Sequence, residues 1–585
     1  MHAMGWVQLA VFTLVLLAIT KPIGLYLLRV LDPEGHTYLD PVLKPVERLA
    51  YALIGSERIK EQDWKGYAAS ALVLSLLGAV FTYVLLRLQQ FLPLNPQHFG
   101  ALSPDLSFNT ASSFTTNTNW QNYGGESTMS YLSQMLALTF HNFISAAMGI
   151  SIAAALVRGI ARQKTKLLGN FWVDLTRVCL YLLLPICVVL ALFLVSQGVI
   201  QNFSHYKTAH IVEPYTASKT GALAQKRIRT QSIAMGPVAS QEAIKELGTN
   251  GGGFMNANSA HPYENPTPLS NFIEMLALCA IGSGLTYWLG RIVGNQRHGW
   301  SIWSAMLILF LAGTMACWWA ESRGNPRLTS LGVSSYQGNM EGKEARFGVF
   351  DSALFATITT DTSCGAVNSM HDSYLPLGGL VPLFNMHMGC VVFGGVGSGL
   401  YGILIFVILA IFLAGLMIGR TPEYLGKKLE SYDIMTAVLA ILFPSVVLLG
   451  LTALASVSQW GLAALGNSGP HGLSEILYAF TSTVNNNGSA FAGLNGNSAP
   501  YNTALGLAML VGRYFIIIPV LALAGNLAQK KAVPVSSGSM PVAGGTFILL
   551  VIGTVLIVGA LTFFPVVSLG PVVEHFLMVN STRLF

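Results

Sequence analysis

A chain of 585 residues has room for about four ordinary soluble domains. Its composition excludes them: 52% of the residues are hydrophobic and 10% are charged, against roughly 25% charged in a soluble domain. The formal charge of +6 fits a lysine and arginine bias in cytoplasmic loops and gives no sign of a nucleic-acid binder.

The apolar stretches run near-continuously for about 20 residues instead of alternating, so a transmembrane β-barrel is also excluded. The expected fold is an all-α polytopic membrane protein with ten transmembrane helices, at 5–30, 66–91, 128–157, 168–197, 268–293, 300–321, 379–418, 432–456, 503–527 and 543–570. The first stretch is too long for a secretory signal and lacks a charged start, so residues 1–31 read as a retained extra helix. The six cysteines lie in or beside apolar segments without CxxC spacing, which indicates neither a disulfide framework nor a zinc site.

Four units follow in chain order, each a span, a mildly apolar stretch too short to cross, a polar turn and a second span. They occupy 66–157, 168–293, 300–418 and 432–527, and 543–570 closes the chain as a second extra helix. The polar turns are FTTNTNWQ at 114–121, LGTNGGG at 247–253, TTDTSCG at 359–365 and VNNNGS at 484–489. Taken from Asn117, Asn250, Cys364 and Asn487, the turns stand 133, 114 and 123 residues apart, a degenerate fourfold repeat.

Loop charge sets the orientation. With the N-terminus outside, seventeen lysines and arginines fall in cytoplasmic loops and span ends, among them Arg29, Arg58, Arg158, Arg162, Lys427 and Lys530. The outside loops 92–127 and 457–502 carry none. Both termini are expected outside.

Irregular backbone at membrane depth survives only when it is buried in protein or lines a water-filled pore. Short half-helices ending in glycine-rich turns meet that condition. Four sets of carbonyls around one axis replace the water shell of a monovalent cation. Asp361 is one acid in one repeat, not the carboxylate ring of a calcium-type filter. Ordinary Asn/Gly surface turns explain any one loop, but not four at matching positions.

The sequence resembles the potassium-binding A subunit of the Kdp potassium-transporting ATPase. The matching runs include TNWQ at 118–121, GPVASQEAIK at 236–245, GTNGGGF at 248–254, SCGAV at 363–367, GGVGSGLYG at 394–402, GRTPEYLGKK at 419–428 and NNNGSAFAG at 485–493. The resemblance implies a multi-pass protein of a bacterial or archaeal plasma (inner) membrane that selects K+ from outside and passes it through an intramembrane tunnel. The implied partners are a P-type ATPase, which is the complex's B subunit, a single-span C subunit and, as an option, a small F peptide. Carried over by motif, the K+ filter comprises Asn117, Thr118 and Asn119; Thr249, Asn250 and Gly251; Ser363, Cys364 and Gly365; and Asn486, Asn487 and Gly488. Gln121 is implied to shape the filter through its amide.

Gate and tunnel candidates follow from the seventh stretch, where Gly389, Gly394, Gly395, Gly397, Gly399 and Gly402 disfavour a continuous helix by about 1 kcal/mol each. That stretch either blocks the passage below the filter or packs closely on neighbouring helices through small residues. Cys390 stands where sequences of the resembled family commonly carry glutamate. Arg513 lies inside a span and is a functional candidate. Arg420, at a span end, reads as a gate candidate or as a cytoplasmic anchor, and Lys21 as a snorkelling side chain.

The chain carries no GxxxxGK[ST] loop and no Asp-Lys-Thr-Gly segment. No catalytic site and no nucleotide are therefore expected here, and ATP hydrolysis is assigned to a partner. The alternatives are a self-sufficient potassium channel or ion-coupled symporter of the same superfamily, and a ten-span secondary transporter with inverted repeats. The four like-oriented loops count against the last.

Overall fold

The computed structural model describes residues 3–55, 60–218, 225–534 and 540–580. Arg58 lies outside the described residues. The first span, α1 (Ala3–Val30), leads to an amphipathic helix, α2 (Asp40–Ile54). The first unit is α3 (Trp64–Phe91), a half-helix α4 (Pro104–Thr115) and α5 (Ser133–Ala161). The second is α6 (Phe171–Gln197), a hairpin of β1 (Lys207–Ser218) and β2 (Gln225–Ile233), a half-helix α7 (Val238–Leu247) and α8 (Pro268–Ile292). The third is α9 (Gln296–Ser322), α10 (Gly348–Asp361), α11 (Pro376–His387) and α12 (Ser398–Ile418). The fourth is α13 (Ser431–Val457), α14 (Gly469–Val484) and α15 (Ala499–Gln529), and α16 (Gly545–Val567) closes the bundle.

Among the described residues, ten helices are long and apolar enough to cross a membrane, the number expected. The half-helices α4, α7, α10 and α14 have 12, 10, 14 and 16 residues. At 1.5 Å per residue none covers about 30 Å of hydrocarbon. Local chemistry starts them where the sequence permits. The Ser103 hydroxyl accepts the Leu106 N–H ahead of Pro104 at the first turn of α4. A reciprocal Thr267–Ser270 capping box ahead of Pro268 opens α8.

Within each unit the second crossing helix is the more buried. The apolar windows of α5, α8, α12 and α15 are 89%, 83%, 61% and 56% buried, against 28%, 39%, 50% and 28% for α3, α6, α9 and α13. The second helices therefore form the inner ring and the first helices the outer one. Against this ring α1 packs along α8, where Gly24 faces Gly284 and Tyr287 so closely that a side chain would clash.

Several expected positive residues meet at one end of the bundle. Arg158 forms a two-point ion pair with Asp174, at 2.6 and 2.8 Å. The Lys427 ammonium donates to the carbonyls of Gly159 (2.9 Å), Leu527 (2.7 Å) and Arg162. Cations thus cap the C-terminal ends of α5 and α15, where the helix carbonyls lack partners.

The bundle is helical as expected, with one addition: β1 and β2 form an antiparallel hairpin within the long loop 198–267. Its register reflects cross-strand pairing in a polar loop, which a search for apolar spans passes over. The stretch at 379–418, whose glycines disfavour a continuous helix, is two helices, with 388–397 non-helical between α11 and α12.

Candidate functional site

All four half-helices end at the same place relative to the turn that follows. Thr115, Leu247, Asp361 and Val484 are their last residues. Two residues on, Asn117, Thr249, Ser363 and Asn486 have φ of 66°, 48°, 52° and 52°. Another two residues on, Asn119, Gly251, Gly365 and Gly488 have φ of 57°, 88°, 90° and 103°. The left-handed conformation thus recurs at alternate positions. The four turns therefore register on Thr118, Asn250, Cys364 and Asn487. The spacing taken from Asn117 is one residue out in the first repeat, because the Asn-rich composition of 117–119 offers two asparagines for one position.

The same four positions turn their N–H groups back onto their own half-helix. Thr118, Asn250, Cys364 and Asn487 donate to the carbonyls of Ser113, Lys245, Thr359 and Ser482, at 3.0, 2.8, 3.0 and 2.8 Å. The Gly365 and Gly488 N–H groups donate to the Thr359 and Ser482 hydroxyls, at 3.1 and 2.9 Å. With the donors turned to the helix ends, the loop carbonyls are presented to the opposite side. Strain at the non-glycine positions is held by the surrounding structure, at about 1–3 kcal/mol each.

Contacts between loops close a ring. A Cβ on Gly251 would strike the Cys364 carbonyl, one on Gly365 the Asn487 carbonyl and one on Gly488 the Thr118 carbonyl. The Asn117 amide completes the circuit by donating to the Thr249 carbonyl at 2.9 Å. Asn486 donates to the Thr118 hydroxyl (2.9 Å), Asn487 to the Thr359 carbonyl (2.9 Å), and the Ser363 hydroxyl to the carbonyls of Asn485 and Asn486 (3.0 Å each). Gln121 pairs in both directions with the Gly253 backbone at 3.1 Å, joining the exits of the first and second loops. Every filter residue named from the sequence is brought to this ring.

Beneath the ring lies the broken stretch. The Val396 N–H donates to the Thr249 hydroxyl at 3.0 Å. A Cβ on Gly395 would meet Ser363, one on Gly397 the Gly149 backbone of α5, and one on Gly394 the Cys390 carbonyl. Gly397 has φ of 91°. The buried Cys390 lies within this excursion, itself at φ of 50°. A cavity starts at Asn117, Ser363 and Asn486 and passes Gly389, Tyr401 and Arg513. It continues between α12, α13, α15 and α16 past Phe406, Pro444 and Phe563. Arg513 donates to the Ser145 carbonyl at 3.1 Å. Arg420 is exposed at the far end of α12 and is not brought to the cavity, which leaves the anchor reading. Lys21 is likewise exposed.

Sequence reasoning missed what stands behind the second loop. The Lys245 ammonium, fully buried, lies 2.9 Å from carboxylate oxygens of Glu242 and Glu264 and 3.3 Å from Glu246. It also donates to the Ser259 hydroxyl at 2.8 Å. The Lys245 carbonyl holds the N–H groups of Asn250 and Gly251, so this charged cluster braces the second loop. The signal was present as charges three and four apart in the otherwise mildly apolar α7. Asn258, also missed, donates to the Gly251 carbonyl at 2.7 Å.

At the N-terminal end of the fourth half-helix, His471 bridges Asp372 (3.1 Å) and Glu574 (2.8 Å). Burial pushes its pKa down, but the two carboxylates more than offset this and hold it up at about 10.

Residues 10–576, which include all four loops, match the family described as Potassium-transporting ATPase A subunit. The chain belongs to this family. Full-length relatives named potassium-transporting ATPase potassium-binding subunit agree. That of Koribacter versatilis is 56% identical with complete coverage of both chains, and that of Acidobacterium capsulatum is 55% identical over 99% of each. The fold is similar to that of the potassium transporter TrkH from Vibrio parahaemolyticus, with a TM-score of 0.50 and 15% identity. The match covers 88% of this chain and 94% of that one. Within the family, this chain thus presents a four-loop ring on a fold shared with a distant transporter.

Proposed function

We propose that this chain is the potassium-selecting and translocating subunit of an ATP-driven uptake complex, and that its ring of loops is the K+ filter. The observation that carries this reading is the fourfold recurrence of left-handed residues whose N–H groups turn back onto their own half-helices, an arrangement that supports four sets of loop carbonyls turned towards one axis. Asn117–Asn119, Thr249–Gly251, Ser363–Gly365 and Asn486–Gly488 supply those carbonyls, and Gln121 fixes the spacing of two loops. The pore units divide at 66–157, 168–293, 300–418 and 432–527. K+ is the transported ion, and this chain binds no nucleotide.

Both termini face the exterior of a bacterial or archaeal inner membrane, as the loop charges require. K+ enters from that side, loses water in the ring and meets the 388–397 excursion, with Cys390, Gly394, Gly395 and Gly397 closing the direct route. The cavity past Arg513 offers a sideways one between α12, α13, α15 and α16. A P-type ATPase, the B subunit, receives the ion and hydrolyses ATP on its own chain. A single-span C subunit, joined in some assemblies by a small F peptide, completes the complex.

The test is K+-dependent ATPase activity of the co-expressed, purified complex, together with K+ uptake by vesicles holding this chain alone. Activation by K+ in the complex and no uptake by the isolated chain are expected. Sustained uptake by the isolated chain would instead favour the self-sufficient channel or symporter, a reading that draws on the resemblance to TrkH.

A further inference from the structure

A mixed cluster of one histidine and three carboxylates stands apart from the ring of loops. His471 and Glu475 lie four residues apart on α14 and so share one of its faces. Asp372 comes from the segment between the third loop and α11, and Glu574 from the last helix, Val573–Asn580. An oxygen of Asp372, an oxygen of Glu475 and a ring nitrogen of His471 all lie within 4.8 Å of one another. His471 Nε2 and Asp372 Oδ1 are 3.1 Å apart. Ligands of a tetrahedral ion with bonds of about 2.0–2.2 Å stand roughly 3.3–3.6 Å from each other, so this pair is already close to one edge of such a shell.

A plain ion-pair hub does not account for the cluster. Three carboxylates around one imidazole leave negative charge in excess, and among the described residues no lysine or arginine pairs with any of the three. The Asp372 side chain is 9% exposed, and its Oδ2 makes no hydrogen bond among the described residues. The surroundings are those of metal ligands. Glu574 takes the other ring nitrogen, Nδ1, at 2.8 Å, as does the outer carboxylate that fixes a ligating imidazole. The Glu475 carboxylate is held in turn by the Gly466 N–H (3.0 Å) and by the Asn467 N–H (3.0 Å) and side-chain amide (2.9 Å). A Cβ on Gly493 would stand 2.6 Å from Glu475 Oε1 and 2.7 Å from Asp372 Oδ2, so only glycine leaves the space beside both carboxylates clear. The His471 side chain is partly exposed, which opens the cluster to ions from solution.

We propose that Asp372, His471 and Glu475 bind a divalent transition-metal ion of the zinc class, through His471 Nε2 and one carboxylate oxygen from each acid, with Glu574 orienting the imidazole. The ion takes the place of the Nε2 proton. One nitrogen and two oxygens suit zinc better than the all-oxygen shells of calcium or magnesium, and they leave the fourth tetrahedral position to water. The site ties the segment after the third loop to α14 and to the last helix. It does not depend on the filter reading.

The full complex with its ATPase partner, stripped with a chelator and then dialysed against zinc alone, tests it. By elemental analysis the wild type is expected to hold one zinc ion per complex more than Asp372→Asn, which keeps the shape and removes the charge. Added zinc should raise the thermal midpoint of the wild type and leave that of the variant unchanged. Glu475→Gln should lose the same ion and serves if the asparagine variant does not assemble. Glu574→Gln should keep the ion but bind it about tenfold to a hundredfold more weakly, the usual effect of removing the carboxylate behind a ligating histidine. Equal zinc content and equal midpoints in the wild type and both ligand variants would overturn the proposal. So would binding of Ca2+ or Mg2+ at these residues in place of zinc.

Discussion

The ring of loops and the helices beneath it treat the fourfold pattern differently. In the ring the backbone is repeated closely: the same positions are left-handed and the same N–H groups turn back in all four units. Among the inner helices α5, α8 and α15 are continuous, while the third unit divides into α11 and α12 around 388–397. The difference separates two physical tasks. On the proposed function, replacing a hydration shell needs oxygens from every side, which the symmetric ring suits. Directing an ion away from the axis would need one side to differ, which the broken third unit suits.

The strongest way to break the comparison is to place a side chain in the ring. Gly251→Asp forces a left-handed residue to carry a Cβ into the Cys364 carbonyl. K+ activation of the complex should be lost or weakened by more than about a hundredfold. Gly365→Asp and Gly488→Asp should match it, since each leans on the next loop in the same way. An unchanged K+ affinity in any of the three would show that the loop is not part of the ring.

Next comes the asymmetric layer. Gly397→Ala strains a residue at φ of 91° and drives a methyl into the Gly149 backbone, at about 1–3 kcal/mol. Maximal transport should fall several-fold while K+/Rb+ selectivity stays near wild type. A change in selectivity as large as that of Gly251→Asp would mean that the excursion belongs to the filter. Gln121→Arg should have a smaller effect, raising half-saturating K+ about tenfold through loss of the paired bonds to Gly253 and leaving assembly intact. Superimposable K+ and Rb+ activation curves would remove Gln121 from the site.

The smallest effect lies outside both layers. His471 is protonated between Asp372 and Glu574, so its folded pKa, about 10, exceeds its ordinary 6.5. Its contribution to stability is complete below pH 6.5 and is lost as pH rises through about 10. His471→Gln should lower the thermal midpoint at pH 7 and flatten the decline of wild-type stability between about pH 8 and 11. K+ affinity should stay within about twofold, the scale expected of a distant site. Equal pH slopes for the two proteins would show that the His471 pairing does not stabilise the fold.

Much of this is legible in the chain itself. Hydropathy over about 20 residues locates the ten crossings, because a helix is the only open-ended segment whose backbone satisfies itself in lipid. Asn, Thr and Gly clusters after short apolar stretches mark the four turns. What misleads is local ambiguity. Asn117 and Asn119 flank Thr118, and asparagine adopts the left-handed region more readily than most residues, so composition points to the wrong member of the trio. Arg420 and Arg513 look alike as charges near spans, but one is exposed at a helix end and the other lines the cavity. Lys245 goes unassigned because, although Glu242 and Glu246 share its helix, Glu264 is supplied by a later turn of chain, and only packing buries the four together.

The sequence by itself determined the number of apolar helices long enough to cross and the places of the four polar turns. Each of these depends on short windows of chain and on transfer from water to hydrocarbon. Tertiary structure alone decided that the turns meet in a ring and that 388–397 lies beneath it. Those arrangements depend on contacts between residues more than a hundred positions apart, such as Gly251 with Cys364 and Gly365 with Asn487. Their energy comes from close packing and paired polar groups, and no local pattern of residues encodes it.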